Sequence, residues 1–393
     1  MAADPSTLPT RHGYPTFSDA EVQRRHAAVR DALREQNLSC LVLYGAGRFN
    51  SDIQYLSNWP GGREGYVVLP VEAEPVLLAQ LFNHVPMAEH LSLIGDTRWA
   101  GADSVASLAD VLAKHVDARA RVALAGGLPF SQFQHLSELL PETTFVDWNR
   151  DFRRMRLVRS EEEIAFFHVA AELTDRSIDR LATDLRPGLR ESELAALVEG
   201  PYLEAGGYAG IHFMTSTPMR ELDELAFVPH QYQSDRLLQA GDALITEISG
   251  AFWGYAGQIH RTFFLGEPTD EWARLHRAAV EAYAVIEAVL HDGARVDDVL
   301  DAAEVIHRSG YTIFDDLLHG ADQYPPILKT RATAHSNPPG NFVFRNGMVL
   351  TLQPQLTTLD RRIGLQFGET IVVRNDGVER LHRYPRGMVI CQA

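Results

Sequence analysis

The sequence predicts an α/β N-terminal domain followed by an α+β C-terminal domain, on three observations. Helix-like and strand-like periodicities alternate through residues 1–157. Helical hairpins backed by strand-like runs fill 158–393. Between them the chain changes texture at a basic stretch. The length agrees, since 393 residues that are 45% hydrophobic and 22% charged exceed one ordinary core.

Apolar Val22, Ala27, Val29 and Leu33 recur at helical spacing and predict a helix over 19–36. Cys40-Leu41-Val42-Leu43-Tyr44 then reads as a buried strand. Strands are predicted at 65–69 and 75–79, a helix at 104–115, a strand at 122–125 and a helix at 130–140. Glycine and proline in Trp59-Pro60-Gly61-Gly62 mark a turn between strands. The boundary falls at 157/158, in the basic run Arg153-Arg154-Met155-Arg156. Ser160 follows as a good N-cap, with Glu163 three residues on as in a capping box.

The second domain carries an internal echo. Pro187-Gly188-Leu189-Arg190-Glu191-Ser192 resembles Asp292-Gly293-Ala294-Arg295-Val296-Asp297, each between helical segments. Each glycine suits a helix C-terminus, and the neighbourhoods of Ser192 and Asp297 suit the next helix start. Strands are predicted at 243–248, 252–254, 259–265, 348–354 and 370–374.

Charge excludes some partners. Lys plus Arg total 36 against 52 Asp plus Glu, a net charge of −16, so nucleic-acid backbones and anionic lipid surfaces are repelled. No apolar run is long enough to span a membrane, and the segment 1–15 lacks the apolar core of a secretory signal, so a soluble cytoplasmic protein is expected. Two cysteines, Cys40 and Cys391, are too few for a disulfide framework or a thiolate metal site.

The span from Gly241 through Glu247, Gln258 and His260 to Phe263 resembles the metal-binding strands of the pita-bread peptidases, the group of methionine aminopeptidase, aminopeptidase P, prolidase and creatinase. Leu318-His319-Gly320, the run Arg345 to Pro354 and Glu369-Thr370-Ile371-Val372-Val373 are similar to its later motifs, in order. The N-terminal alternation and Arg159-Ser160-Glu161-Glu162-Glu163 match the longer branch of creatinase and aminopeptidase P. The resemblance therefore implies a pita-bread C-terminal domain and, by analogy with relatives, a homodimer.

Metallopeptidases of this group hold two divalent ions with two aspartates, a histidine and two glutamates. The resemblance puts Glu247 and Gln258 at the aspartate positions, His319 at the histidine, Gln353 at the first glutamate and Gly368 at the second, beside Glu369. Amides and a glycine cannot supply the charge of carboxylates, so no dinuclear centre and no cofactor is expected. His319, Glu247 and Glu369 would make at most a sparse single-ion site.

Creatinase keeps the fold without metal. Pro229-His230-Gln231 precedes Gly241-Asp242 at the spacing of creatinase's catalytic histidine, which implies His230 as acid/base, since imidazole exchanges protons near neutral pH. Strand alternation puts Gln258 and His260 on one face. His260 and His319 would orient substrate or water, with Glu247 or Glu369 fixing their tautomers. Gln258, Gln353 and Tyr255 would contact substrate. Arg63 matches a creatinase loop arginine that reaches the substrate carboxylate across a dimer, with Trp59 as a wall; Phe213, Trp253 and Tyr324 are further aromatic candidates.

A polar, nearly neutral site disfavours creatine and favours a small neutral or anionic metabolite. The expected activity is metal-independent hydrolysis of a C–N bond. Elimination, decarboxylation or cyclisation on the same fold is the alternative enzyme reading. A non-catalytic peptide- or small-molecule-binding domain and a metallopeptidase with a rearranged site are the others.

Overall fold

Ser18 opens helix α1 (Asp19–Glu35): its hydroxyl accepts the Glu21 N–H, and Val22, Val29 and Leu33 fall on the buried face. In the computed structural model, residues 5–220, 227–321 and 324–392 are described, Tyr324 and Pro325 as backbone only. The chain divides into two compact units, Ser6–Arg156 and Leu157–Ala393, the latter with Pro5. Among the described residues no helix is long and apolar enough to cross a membrane.

The N-terminal unit continues through β1 (Cys40–Ala46), α2 (Ser51–Ser57), β2 (Glu64–Pro70), β3 (Val76–Ala79), α3 (Val85–Leu91), β4 (Asp96–Trp99), α4 (Ser104–His115), β5 (Arg121–Ala125), α5 (Phe130–Leu139), β6 (Thr144–Asp147) and α6 (Asn149–Met155). Its strands form one six-stranded mixed sheet ordered β4-β3-β2-β1-β5-β6. The central strands β1 and β2 are apolar on both faces, as sheets covered by helices on either side require. The short helix α2 was not expected. Seven residues are too few to show a period, and the glycines beyond its left-handed cap Asn58 dominate the local pattern.

In the C-terminal unit the predicted capping box forms. Ser160 caps α7 (Glu161–Asp184), accepting the Glu163 N–H while the Glu163 carboxylate accepts the Ser160 N–H. Then come α8 (Glu191–Glu204), β7 (Tyr208–Pro218), β8 (Asp242–Phe252), β9 (Tyr255–Leu265), α9 (Asp270–Glu287) and α10 (Val296–Arg308). The chain ends with β10 (Leu318–Gly320), β11 (Tyr324–Leu328), β12 (Val349–Leu352), β13 (Gly368–Arg374), β14 (Gly377–Arg380) and β15 (Val389–Cys391).

The nine-stranded sheet runs β11-β10-β12-β13-β9-β8-β7, with β14 on β13 and β15 parallel to β9. The sequence echo is structural. Gly188 and Gly293 both have positive φ, and the backbones of Arg190 and Arg295 donate to Glu193 and Asp298 three residues on, starting α8 and α10. The helices thus begin in the neighbourhoods of Ser192 and Asp297, as the sequence pattern predicts, with Arg190 and Arg295 as the cap residues. The strand expected at 252–254 is a hairpin end: Trp253 and Gly254 take φ of +47° and +84°, a two-residue turn whose twist suits β8 and β9.

Helix α7 lies on β8 and β9. A Cβ on Gly257 would come within 2.5 Å of the Ala171 backbone, so only glycine permits this approach. The Thr174 hydroxyl accepts the Gly250 N–H and donates to the Gly257 carbonyl, pinning helix to hairpin. The core continues between α9, α10 and the rest of the sheet, around Trp272, Tyr283 and Leu350.

Candidate functional site

A cavity of about 850 Å³ lies in the C-terminal unit, lined from the sheet by Phe213, Glu247, His319 and Gln353, and from loops by Pro229, Gln231, Phe314, Asp315, Asp316, Lys329, His335 and Arg361 among others. Register assembles its floor. Glu247 of β8 pairs with His260 of β9, which pairs with Gly368 of β13. His319 of β10 pairs with Thr351 of β12, which pairs with Thr370 of β13.

The floor is a chain of amides and imidazoles. Gln258 donates to the Glu247 carboxyl at 2.5 Å, and its main chain is clamped by the Thr370 hydroxyl. Burial, with Asp315 adding repulsion, pushes the Glu247 carboxyl up to about 8 against the bond from Gln258, so it carries its proton at neutral pH. His319 Nδ1 lies 2.8 Å from the Gly320 carbonyl, which only accepts, so Nδ1 carries a proton and in the neutral imidazole Nε2 is the acceptor.

His260 is fully buried, with Nδ1 3.1 Å from Gln366 Oε1, and its Nε2 has no partner among the described residues. Burial first, then the neighbouring imidazole of His319, holds it well below the ordinary imidazole range, so it stays neutral. Gln353 donates to the Asp316 carbonyl, and its Oε1 is also without a partner.

The residues present do not fit a pair of divalent ions. Glu247 is the one carboxyl of this floor and is bonded to the Gln258 amide, and Gln258 and Gln353 are neutral. A side chain at position 368 is barred, because its Cβ would meet the Leu352 carbonyl at 2.3 Å and the Gln353 Cα at 2.6 Å. Among the described residues no three His, Cys, Asp or Glu side chains converge as a cation requires.

Several expected site residues stand elsewhere. Glu369, one residue past Gly368, points to the opposite side of β13. There it accepts from Arg261 at 2.8 Å, Arg380 at 2.6 Å and Arg386 at 2.8 Å, so it fixes no imidazole of the cavity. Tyr255 is a core residue: its hydroxyl donates to Glu163 and its ring meets Phe166 and Phe167. His230 is half-buried between the lining residues Pro229 and Gln231 and is not itself a lining residue. Its N–H donates to the Thr215 hydroxyl and its carbonyl accepts from Met214.

In the N-terminal unit, Trp59 is buried, with Gly62 and Gly65 beneath its ring, and offers no face to a ligand; Arg63 is exposed. Trp253 is the hairpin-turn residue, and the side chain of Tyr324 lies outside the described residues. The lining residues Asp315, Asp316, Lys329, His335 and Arg361 carry no periodic or motif signal, being loop residues between short strands. Gln366 could have been found by strand reasoning, since its main chain exchanges hydrogen bonds with the Thr262 hydroxyl two residues beyond His260.

The sequence pattern of metallopeptidase family M24 matches residues 165–375, and that of the creatinase/prolidase N-terminal domain matches residues 25–158. The uncharacterised hydrolase/peptidase y4tL of Sinorhizobium fredii is 24% identical over 98% of this chain and 100% of its own. The ectoine hydrolase of Halomonas elongata is 27% identical over 66% of each chain. Among solved structures, the Xaa-Pro dipeptidase from Bacillus anthracis superposes with a TM-score of 0.80 at 19% identity, covering 94% of this chain and 99% of that one.

Proposed function

The chain belongs to metallopeptidase family M24, with its pita-bread fold and creatinase-type N-terminal domain, and from that premise we propose that it is a hydrolase working without metal on a C–N bond of a small polar, neutral or anionic metabolite. One observation carries the reading: Glu247, whose carboxyl burial pushes up to about 8, and His319, whose Nδ1 is bonded to the Gly320 carbonyl, line one cavity together with the amide of Gln353. His319 Nε2 takes a proton from water as its oxygen attacks the carbon. Glu247 gives its proton to the departing nitrogen as the C–N bond breaks. Proton return from His319 to Glu247 closes the cycle. Gln258 holds the carboxyl in place, and the neutral amides replace the anionic field that cations would need.

Protein freed of ions with EDTA, screened against a panel of small amides, amidines and ureas, is expected to retain turnover. Glu247→Gln and His319→Ala are each expected to lower it by about 10²–10⁴-fold, as for a missing acid or base. Turnover by untreated protein that EDTA abolishes, with about two divalent ions per chain by elemental analysis, would overturn the reading. Pairing of two copies, with Arg63 serving the partner's substrate, is part of the proposal. Sedimentation should give a dimer, and Arg63→Ala should raise KM; a monomer would remove that part.

A further inference from the structure

Glu191 is a buried carboxylate that the proposed chemistry does not use. It stands in the first turn of α8, and each of its oxygens takes both donors of one serine. Oε1 accepts the Ser216 N–H and the Ser216 hydroxyl, each at 2.6 Å; Oε2 accepts the Ser234 N–H at 3.0 Å and the Ser234 hydroxyl at 2.6 Å. Burial raises its pKa, but the bonds from the two serines outweigh burial and hold the group below the ordinary carboxylate range, so it is ionised at neutral pH. One anion thereby joins three pieces of chain: α8 itself, β7 through Ser216, and the segment 227–234 through Ser234. That segment is a wall of the cavity, which Val228, Pro229 and Gln231 line. Neutral groups tether it elsewhere. The Gln355 amide donates to the Phe227 carbonyl, the His230 main chain is bonded to Thr215 and Met214, and Gln233 donates to the His212 carbonyl at 3.0 Å.

The internal echo of the sequence supplies a control within the same molecule. Position 191 corresponds to Val296, as Gly188 corresponds to Gly293. Their main chains pair alike: Gly188 and Glu191 donate to the carbonyls of Leu238 and Arg236, and Gly293 and Val296 donate to those of Phe344 and Phe342. In the second copy the position holds a valine, fully buried in the core. Starting the helix and pairing the main chain therefore require no carboxylate. What the anion at 191 adds is the link between Ser216 and Ser234.

We propose that Glu191 is a positioning residue: by holding Ser216 and Ser234 together it fixes the 228–231 wall, and so sets how closely the cavity fits its substrate, without touching that substrate. Hydrogen bonds to an ionised acceptor are the strong ones, which suits a tether on an exposed segment. A carboxamide at 191 has one acceptor oxygen and serves one serine, its NH₂ group facing the donors of the other. Only a carboxylate holds both. The proposal rests on the reading of this cavity as the substrate site.

The test reads distances across the cavity of the full chain by pulsed electron–electron resonance, with nitroxide labels on Gln231→Cys and Ala332→Cys, two exposed lining positions on different loops. Both native cysteines are buried, which leaves the labels to these sites. A second labelled pair, Glu281→Cys with Arg308→Cys on α9 and α10, reports any general loosening. The distribution across the cavity should broaden about twofold or more in Glu191→Gln and in Ser234→Ala while the α9–α10 distribution keeps its width. Ser234→Thr, which retains the hydroxyl, should match the parent. Ser234→Ala leaves the carboxylate and its bonds to Ser216 in place, so it decides the matter even where Glu191→Gln does not fold. For the amide, amidine or urea that the parent turns over best, Ser234→Ala should raise KM about tenfold and hold kcat within about threefold. Unchanged width across the cavity, equal broadening of both pairs, or broadening without a rise in KM overturns the proposal. The distances are read without substrate, so absence of turnover by the parent defeats the hydrolase reading and leaves the tether to be judged by the distances.

Discussion

Glu247 and Glu369 are both buried carboxyls in one unit, and their surroundings drive them in opposite directions. Glu247, raised from an ordinary 4.5 to about 8, keeps a proton that the unfolded chain has lost, so its contribution to stability is full below pH 4.5 and declines as pH rises to about 8. Glu247→Gln removes that titration. Its melting midpoint should match the parent near pH 4.5 and exceed it at pH 8, and a gap that stays constant across the range would refute the assignment. In the enzyme, loss of the Glu247 proton should appear as a fall in rate through about pH 8. Burial alone would raise Glu369, but the bond from Arg380 and the charges of Arg261, His382 and Arg386 hold it down to about 2. Its stabilisation is therefore present above pH 4.5 and lost as pH falls toward 2. Glu369→Gln leaves three arginines without their shared anion and should cost about 3–5 kcal/mol in urea unfolding at pH 7.

At the scale of elements, Gly368 sets how closely β12 and β13 approach. Gly368→Ala places a methyl 2.3 Å from a carbonyl oxygen that cannot rotate away, and should cost about 3 kcal/mol, read as a lower urea midpoint at unchanged slope. The same strand shows what was legible in the sequence. Long elements with repeating apolar residues, such as α1, α4, β8 and β9, could be read to within a few residues. The two misplaced site residues of the sheet follow from the two-residue repeat of a strand. Position 255 is odd where Gln258 and His260 are even, and 369 is odd where 368 faces the floor, so alternation carried along the whole strand assigns both to the far side. The loop charges Asp315 and Arg361 have no such rule, because a turn's direction depends on local backbone angles that a pattern of residue types does not fix.

For the molecule as a whole, removal of ions is the most direct thermodynamic probe. A chain whose ions contribute to folding loses their binding free energy on chelation. Here the melting midpoint with and without EDTA should coincide, and a drop of several degrees would show that a bound ion contributes to folding. The net charge of −16 adds an independent expectation: mobility on a nucleic-acid column should match that of the void volume even at low salt.

The contact under Gly368 also limits which side chains position 368 can take. A glutamate introduced there would meet main chain before it met any cation, so a metal-holding residue at 368 requires the neighbouring strand to yield first.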